Sequence, residues 1–127
     1  MKAIIIHSLP HALQRYDTVG DYQEAHGAIL ITVSEMGNDQ YEQLVAVHEL
    51  VEKILVNARG IKDADIDAFD RAFEQRRVEG NEDEPGDAPE APYRREHRFA
   101  ENIERLVCAE LGIHWDDYNT AVLGLHQ

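Results

Sequence analysis

His48-Glu49-Leu50-Val51-Glu52 is the part of this chain best equipped for chemistry. His48 and Glu52 stand at i and i+4, the spacing at which two side chains on one helical face reach a single ion. The surrounding segment reads as an amphipathic helix. At about 100° per residue, Leu44, Val47, Val51, Ile54 and Leu55 form one apolar arc, and Val45 and Val56 carry it past His48 and Glu52. Both polar residues therefore fall inside the arc rather than on the wet face. An unpartnered carboxylate there costs several kcal/mol or takes up a proton; an ion pair, a hydrogen-bond network or a metal resolves the conflict. In the pattern His-Glu-x-x-His on a helix, two histidines bind zinc and the glutamate is the general base. Here Glu52 replaces the second histidine, and a carboxylate also binds zinc. The plainer reading is a satisfied core histidine beside a Glu52 paired with a basic side chain.

A metal site needs a third ligand, and a second long helix expected over Tyr93–Leu111 offers candidates. His97, Glu101 and Glu104 share a face at i, i+4 and i+7, with Cys108 further along. The main apolar stripe of that helix is Phe99, Ala100, Ile103, Val107 and Leu111. Glu96 falls near the centre of this stripe and His97 at its edge, so angular position alone does not choose between them. The plainer reading is a solvated face on which Arg94, Arg95, Arg98 and Arg105 partner the acids.

The elements that must position these residues are legible in outline. Ala3–Ile6 reads as a short strand ended by Ser8-Leu9-Pro10, Pro10–Tyr16 as a short helix, and Thr18–Tyr22 as a turn or second strand. Ala28–Ser34, β-branched and preceded by Gly27, is the best strand in the chain. Gly37-Asn38-Asp39 breaks it; Asn38 or Asp39 caps a helix from about Gln40 to Ala58, closed by Gly60. A third helical segment starts at Asp63 or Asp65, with Ile66, Phe69 and Phe73 at helical spacing. Residues 79–92 form an acidic loop holding three of the four prolines. Trp115–Leu123 closes the chain as a short helix. A small sheet packed on helices gives an α+β fold, expected as one domain over residues 1–127.

Composition narrows the function classes. With 43% hydrophobic and 29% charged residues the chain is ordinary globular material. A net charge of −13 argues against binding a nucleic-acid backbone. Cys108 is the only cysteine, which rules out an internal disulfide and suits a reducing compartment. The apolar run after Met1 is too short for a signal peptide or a membrane span. The expected location is cytoplasmic, with no membrane partner.

The strand, the break and the helix carrying Tyr41-Glu42-Gln43-Leu44-Val45-Ala46-Val47-His48-Glu49-Leu50 resemble the core of zincin metallopeptidases, and most closely the small ImmA/IrrE-like group. In that group the motif helix follows an edge strand, which Ala28–Ser34 would supply. A later helix opens with the third ligand, a glutamate, followed by alanine at +3, an aromatic or apolar residue at +6 and apolar residues at +9 and +10. Counting from His97 gives Ala100, Ile103, Leu106 and Val107, and so favours His97 over Glu96. The resemblance implies a zinc held by His48, Glu52 and His97, with the family's order of ligand types exchanged between two positions. It implies Glu49 as general base, polarising a zinc-bound water for attack on a peptide carbonyl. The substrate would be a protein segment lying antiparallel along Ala28–Ser34. Glu101 is an alternative ligand or an outer partner of His97, and manganese or iron an alternative metal. The resemblance covers residues 28–56 and 93–111; the second zinc histidine and the family's Leu-Leu-x-Pro ending are missing, the latter replaced by Glu110-Leu111-Gly112. The whole chain also resembles small proteins of phage and prophage genomes, which implies the alternative of a non-catalytic interaction protein with a structural or vestigial metal site.

Other signals are weaker. Asp63-x-Asp65-x-Asp67 with Glu74 mimics a calcium loop, but Ala68 stands at the obligatory glycine and helix capping explains the acids better. Glu49-x-x-Glu52 is similar to the carboxylate pairs of all-α MazG-type pyrophosphohydrolases, against which the β-rich start argues. Tyr93, Tyr118 and His114 are candidates to steady an oxyanion, each with core or surface packing as the simpler role.

Overall fold

The computed structural model describes residues 3–126. It is an α+β arrangement of a three-stranded sheet followed by four helices: β1 Ala3–Leu9, β2 Gly20–Ala25, β3 Ala28–Ser34, α1 Asp39–Ala58, α2 Asp63–Gln75, α3 Arg94–Glu110 and α4 Trp115–Leu123. The strand order is β1-β3-β2. β2 and β3 form a hairpin whose two-residue turn, His26 and Gly27, has φ of 54° and 76°. Positive φ at both central positions is what the favoured hairpin turns require. β1 pairs with β3 in parallel from Ala3↔Ala28 to Leu9↔Ser34.

Three expectations change here. Ala28–Ser34 is the central strand, covered along both edges, so no segment can lie along it as an added strand. The helix expected over Pro10–Tyr16 is only a single 3-10 turn, His11–Leu13. Its polar side chains serve the sheet instead: His11 Nδ1 lies 2.8 Å from Ser34 Oγ, and the Gln14 amide donates to the Val19 carbonyl at 3.2 Å. The second strand starts at Gly20 and runs on to Ala25.

α1 begins where expected. Asn38 is its cap, its side chain accepting from the Tyr41 amide at 3.1 Å, and Gly60 follows its end at φ 70°. The core gathers Ile29, Ile31 and Val33 of β3 with Leu44, Val45 and Val56 of α1. The rotation of α1 differs from the centre of its apolar arc. Its buried face is Leu44, Val45, His48, Glu52, Lys53 and Val56, whereas Ile54 is 53% exposed and Val47, Val51 and Leu55 are only half-buried. α3 turns the same way, burying Glu96, His97, Ala100, Glu104 and Cys108 and leaving Phe99, Leu106 and Leu111 of its apolar residues in solvent. Each helix thus buries polar side chains ahead of hydrophobic ones, because those side chains bind one another between the helices.

Two buried ties hold α2 in place. Lys53, almost fully buried, donates to both Asp63 carboxylate oxygens at 2.9 Å and lies 3.3 Å from Glu24. Asp70 accepts from Tyr93 Oη at 2.5 Å and from Tyr16 Oη at 2.9 Å. The Asp63–Glu74 segment is helical, and Asp63, Asp67 and Glu74 are spent on Lys53, Arg15 and Arg77, which excludes a calcium loop. Among the described residues, no helix is long and apolar enough to cross a membrane.

Burial pushes the Asp70 carboxyl up to about 7, outweighing the two tyrosine hydrogen bonds that pull it down. A carboxyl raised on folding binds its proton more tightly in the native state. Its stabilising contribution is therefore complete below the unfolded value near 3.8 and is lost as pH rises through about 7. Urea unfolding of the wild type and Asp70→Asn from acid to neutral pH tests this: the variant, which cannot ionise, should gain on the wild type steadily up to about neutrality. A gap that stays constant across the range would refute it.

Candidate metal centre

α1 and α3 run antiparallel, since His48 reaches Glu104 while Arg59, further along α1, reaches Glu96, nearer the start of α3. Between them His48, Glu52 and His97 bring one atom each to a common point. His48 Nε2 lies 2.9 Å from Glu52 Oε2 and 3.2 Å from His97 Nδ1, and His97 Nδ1 lies 3.1 Å from the same Glu52 oxygen. All three residues are buried, and the group could hold a metal ion.

The far side of each of the three side chains is also occupied. His48 Nδ1 is 2.7 Å from Glu104 Oε1, and Glu104 in turn accepts from Tyr118 Oη. His97 Nε2 is 2.9 Å from Glu84 Oε2. The alignment there is poor enough that this nitrogen has no well-formed hydrogen bond, but the short separation in a buried setting makes Glu84 its electrostatic partner. Tyr22 Oη donates to the second Glu52 oxygen at 2.8 Å. The Glu104 hydrogen bond holds N–H on the far nitrogen of His48, and the Glu84 charge favours it on that of His97, which leaves the near nitrogens as acceptors, the arrangement that metal-binding histidines use. Two imidazole lone pairs and a carboxylate oxygen then converge, which is repulsive unless a cation or a proton sits among them. Tetrahedral zinc with bonds of about 2.0–2.1 Å separates its ligand atoms by about 3.3 Å, close to the spacing observed.

Charge counting points the same way. Glu49, Glu52, Glu84 and Glu104 surround the cluster, and among the described residues no lysine or arginine pairs with any of them. Protons take up the imbalance. Burial lowers the basicity of His48, but hydrogen bonds to Glu104 and Glu52 override it and hold the ring well above its ordinary value. His97 is likewise pulled down by burial and pushed up, to about 10, by Glu52 and Glu84. Burial raises Glu52, and its hydrogen bonds to the two rings bring it down to about 2.

Glu49 differs from all of these. Its carboxylate makes no hydrogen bond among the described residues and lines a cavity of about 110 Å³ shared with His48, Glu52 and His97. Burial and then the Glu52 charge hold its carboxyl well above the usual range. Two glycines make room for the arrangement. A Cβ on Gly20 would lie 2.4 Å from Glu49 Oε1, and one on Gly86 would lie 2.4 Å from His97 Cγ.

Of the alternative ligands, Glu96 is buried but turned away to Arg59 Nη1 at 2.6 Å, so it is not part of the group. Glu101 lies with Glu84 and Asp87 on the other side of the His97 ring and pairs with Arg105 at 3.3 Å. The oxyanion candidates are committed elsewhere: Tyr93 to Asp70, Tyr118 to Glu104, and His114 to the exposed start of α4. Sequence reading missed Tyr22 and Glu84. Glu84 carries a local signal only in hindsight, because Pro85-Gly86 turns the acidic loop onto His97 at the one residue small enough to meet the ring. No known protein family, curated protein or solved structure matches this chain.

The two glycines separate the position of His97 from that of Glu49. Gly86→Ala should displace His97 and weaken metal uptake, whereas Gly20→Ala should displace Glu49 and leave uptake near the wild-type level. Zinc titration of the three proteins checks this, and equal uptake by all of them would refute the placement of His97.

Proposed function

We propose that this chain is a metal-dependent hydrolase that holds one zinc ion through His48, Glu52 and His97. The observation that carries the reading is the convergence of three acceptor atoms within 3.2 Å of one another, with a carboxylate behind each ring. A bound zinc supplies Lewis acidity and lowers the pKa of a coordinated water. The remaining work falls to the chain's own groups. Glu104 and Glu84 fix the ring orientations, and Tyr22 holds Glu52 by the oxygen turned away from the cluster. Glu49 gains acidity beside a cation, which frees its carboxylate to take a proton from water and pass it to a leaving group. No arginine or lysine among the described residues occupies the centre, as one would in a vestigial site. A peptide bond is the expected substrate through the zincin resemblance; two imidazoles and a carboxylate are donors that iron also accepts, so the elemental analysis identifies the metal. With β3 enclosed, a peptide substrate would have to enter by the cavity instead.

The second reading is a non-catalytic protein in which the same cluster is a protonated ion-pair network. The raised His48 and His97 basicities favour it, because imidazolium rings satisfy the carboxylates without any metal. Elemental mass spectrometry on tag-free protein separates the two. About one zinc per chain is expected in the wild type and in Glu49→Gln, and almost none in His48→Ala or His97→Ala. Protein that neither contains nor takes up zinc would sink the metalloenzyme reading.

Two quantitative outcomes follow from the proposal. Glu104→Gln should weaken zinc binding about 10–100-fold, the usual effect of removing the partner behind a ligating histidine. Glu49→Gln should lower peptide or amide hydrolysis about 10²–10⁴-fold with zinc content unchanged. Full activity in Glu49→Gln would remove it from the role of base. Zinc uptake should also release protons, since both rings must give theirs up, so affinity should fall as the buffer is made more acid.

A further inference from the structure

The helix rotation that buries the polar cluster has an opposite side. Ile54 follows Glu52 by two positions, Phe99 follows His97 by two, and Leu106 follows Glu104 by two. Two positions turn a helix by about 200°, so each of these apolar side chains points away from the centre. They are 53%, 50% and 64% exposed. Val47 and Val51 on α1 and Ile103 on α3 flank them, and none of the six packs against the core cluster. Because α1 and α3 are adjacent and antiparallel, the six form one apolar face along the back of the helix pair. Scattered exposed hydrophobics need no explanation, but a contiguous face built from two helices marks an interaction site.

The charges at its ends identify the occupant. At the Ile54 end, Arg59, Arg94, Arg95 and Arg98 surround Phe99 in a shallow pocket; Arg59 is spent on Glu96, and the other three carry the positive charge of this end in a chain of net charge −13. At the other end, near Leu106, stand the exposed acids Asp39 and Glu110. A two-fold axis that lies in this face, perpendicular to the helix axes, brings the basic end of one copy onto the acidic end of another and lays the uncharged middles together. Such self-complementarity is what an isologous interface requires. We infer that the back of the α1–α3 pair is a homodimer interface, in which two helix pairs pack face to face as a four-helix layer. Each candidate metal centre faces the side of its helix pair away from the interface, and the dimer does not depend on it.

Sedimentation velocity over a range of concentrations tests the inference on the full chain. The wild type should sediment as a dimer at about 100 μM, and Leu106→Asp and Ile54→Asp should each raise the dissociation constant at least about tenfold. Both sites are in solvent in the protomer, so circular dichroism and zinc content should be unchanged, which separates loss of the dimer from loss of the fold or of the metal centre. Arg95→Glu and Glu110→Arg should each weaken the dimer, and the double charge exchange should restore it. A monomeric wild type would overturn the inference. So would a dimer that both aspartate variants leave intact, since its interface would lie elsewhere, and binding of an acidic partner protein by a monomeric chain would assign the face to that class instead.

Discussion

Much of this fold answers to the need to keep two carboxyl groups, Glu52 and Glu104, and two imidazoles dry between α1 and α3, with the half-buried Glu49 and Glu84 at the edge of the cluster. A buried carboxylate without a partner costs several kcal/mol, and here Glu52 and Glu104 are each matched to a ring and a tyrosine hydroxyl, while the partly exposed Glu84 stands beside His97. The match fixes the register of the two helices, because His48 must reach Glu52 on its own helix and both His97 and Glu104 on the other. It fixes their rotation as well. Hydrophobic burial is non-directional and tolerates a turn of a few tens of degrees, whereas hydrogen bonds of 2.7–3.2 Å do not. Directional contacts therefore set the geometry, and the apolar arcs fill the space that remains.

That hierarchy explains what the sequence could reveal. The element order was legible because strands and helices follow local chemistry: β-branched runs, the Asn38 cap, and Gly60 and Gly112 after the helix ends. His48 and Glu52 were legible because a fixed i, i+4 spacing brings them together on any helix. The status of Glu96 was not, since it sits at the centre of the α3 apolar stripe and nothing local says that Arg59 will claim it. The position of β3 was equally hidden: strand propensity says nothing about which edge a neighbour covers, and β1 joins it from residues far away in the chain. The apolar arc of α1 misled about rotation, since its centre of hydrophobicity lies on the side that the cluster turns outward.

The glycines show the same constraint acting at short range. Gly20 begins β2 and Gly86 sits in the acidic loop, two segments with no common local role, and each is in contact with a side chain of the centre. Neither is needed there for a positive φ; both are needed because the backbone passes where a side chain would collide. The loop at 79–92 is therefore more than a solvated linker. Its Glu84 stands behind His97 and its Gly86 backbone presses on the ring, so the loop forms one wall of the site.

Whether the centre is occupied by protons or by a metal is a competition over one position. The protonated form neutralises the carboxylates with two imidazolium rings and needs no exposed group. It leaves Glu49 unexplained, however, because that carboxyl makes no hydrogen bond in the network and is kept neutral by burial and by the neighbouring Glu52 charge. A structural ion-pair cluster gains nothing from an extra acid held at its edge without a hydrogen bond and given clearance by a glycine. A hydrolytic centre needs such a group: close to the metal position, free of protein partners and facing a cavity. Glu49 thus discriminates between the readings better than the three ligands do, since the ligands serve either occupant equally well.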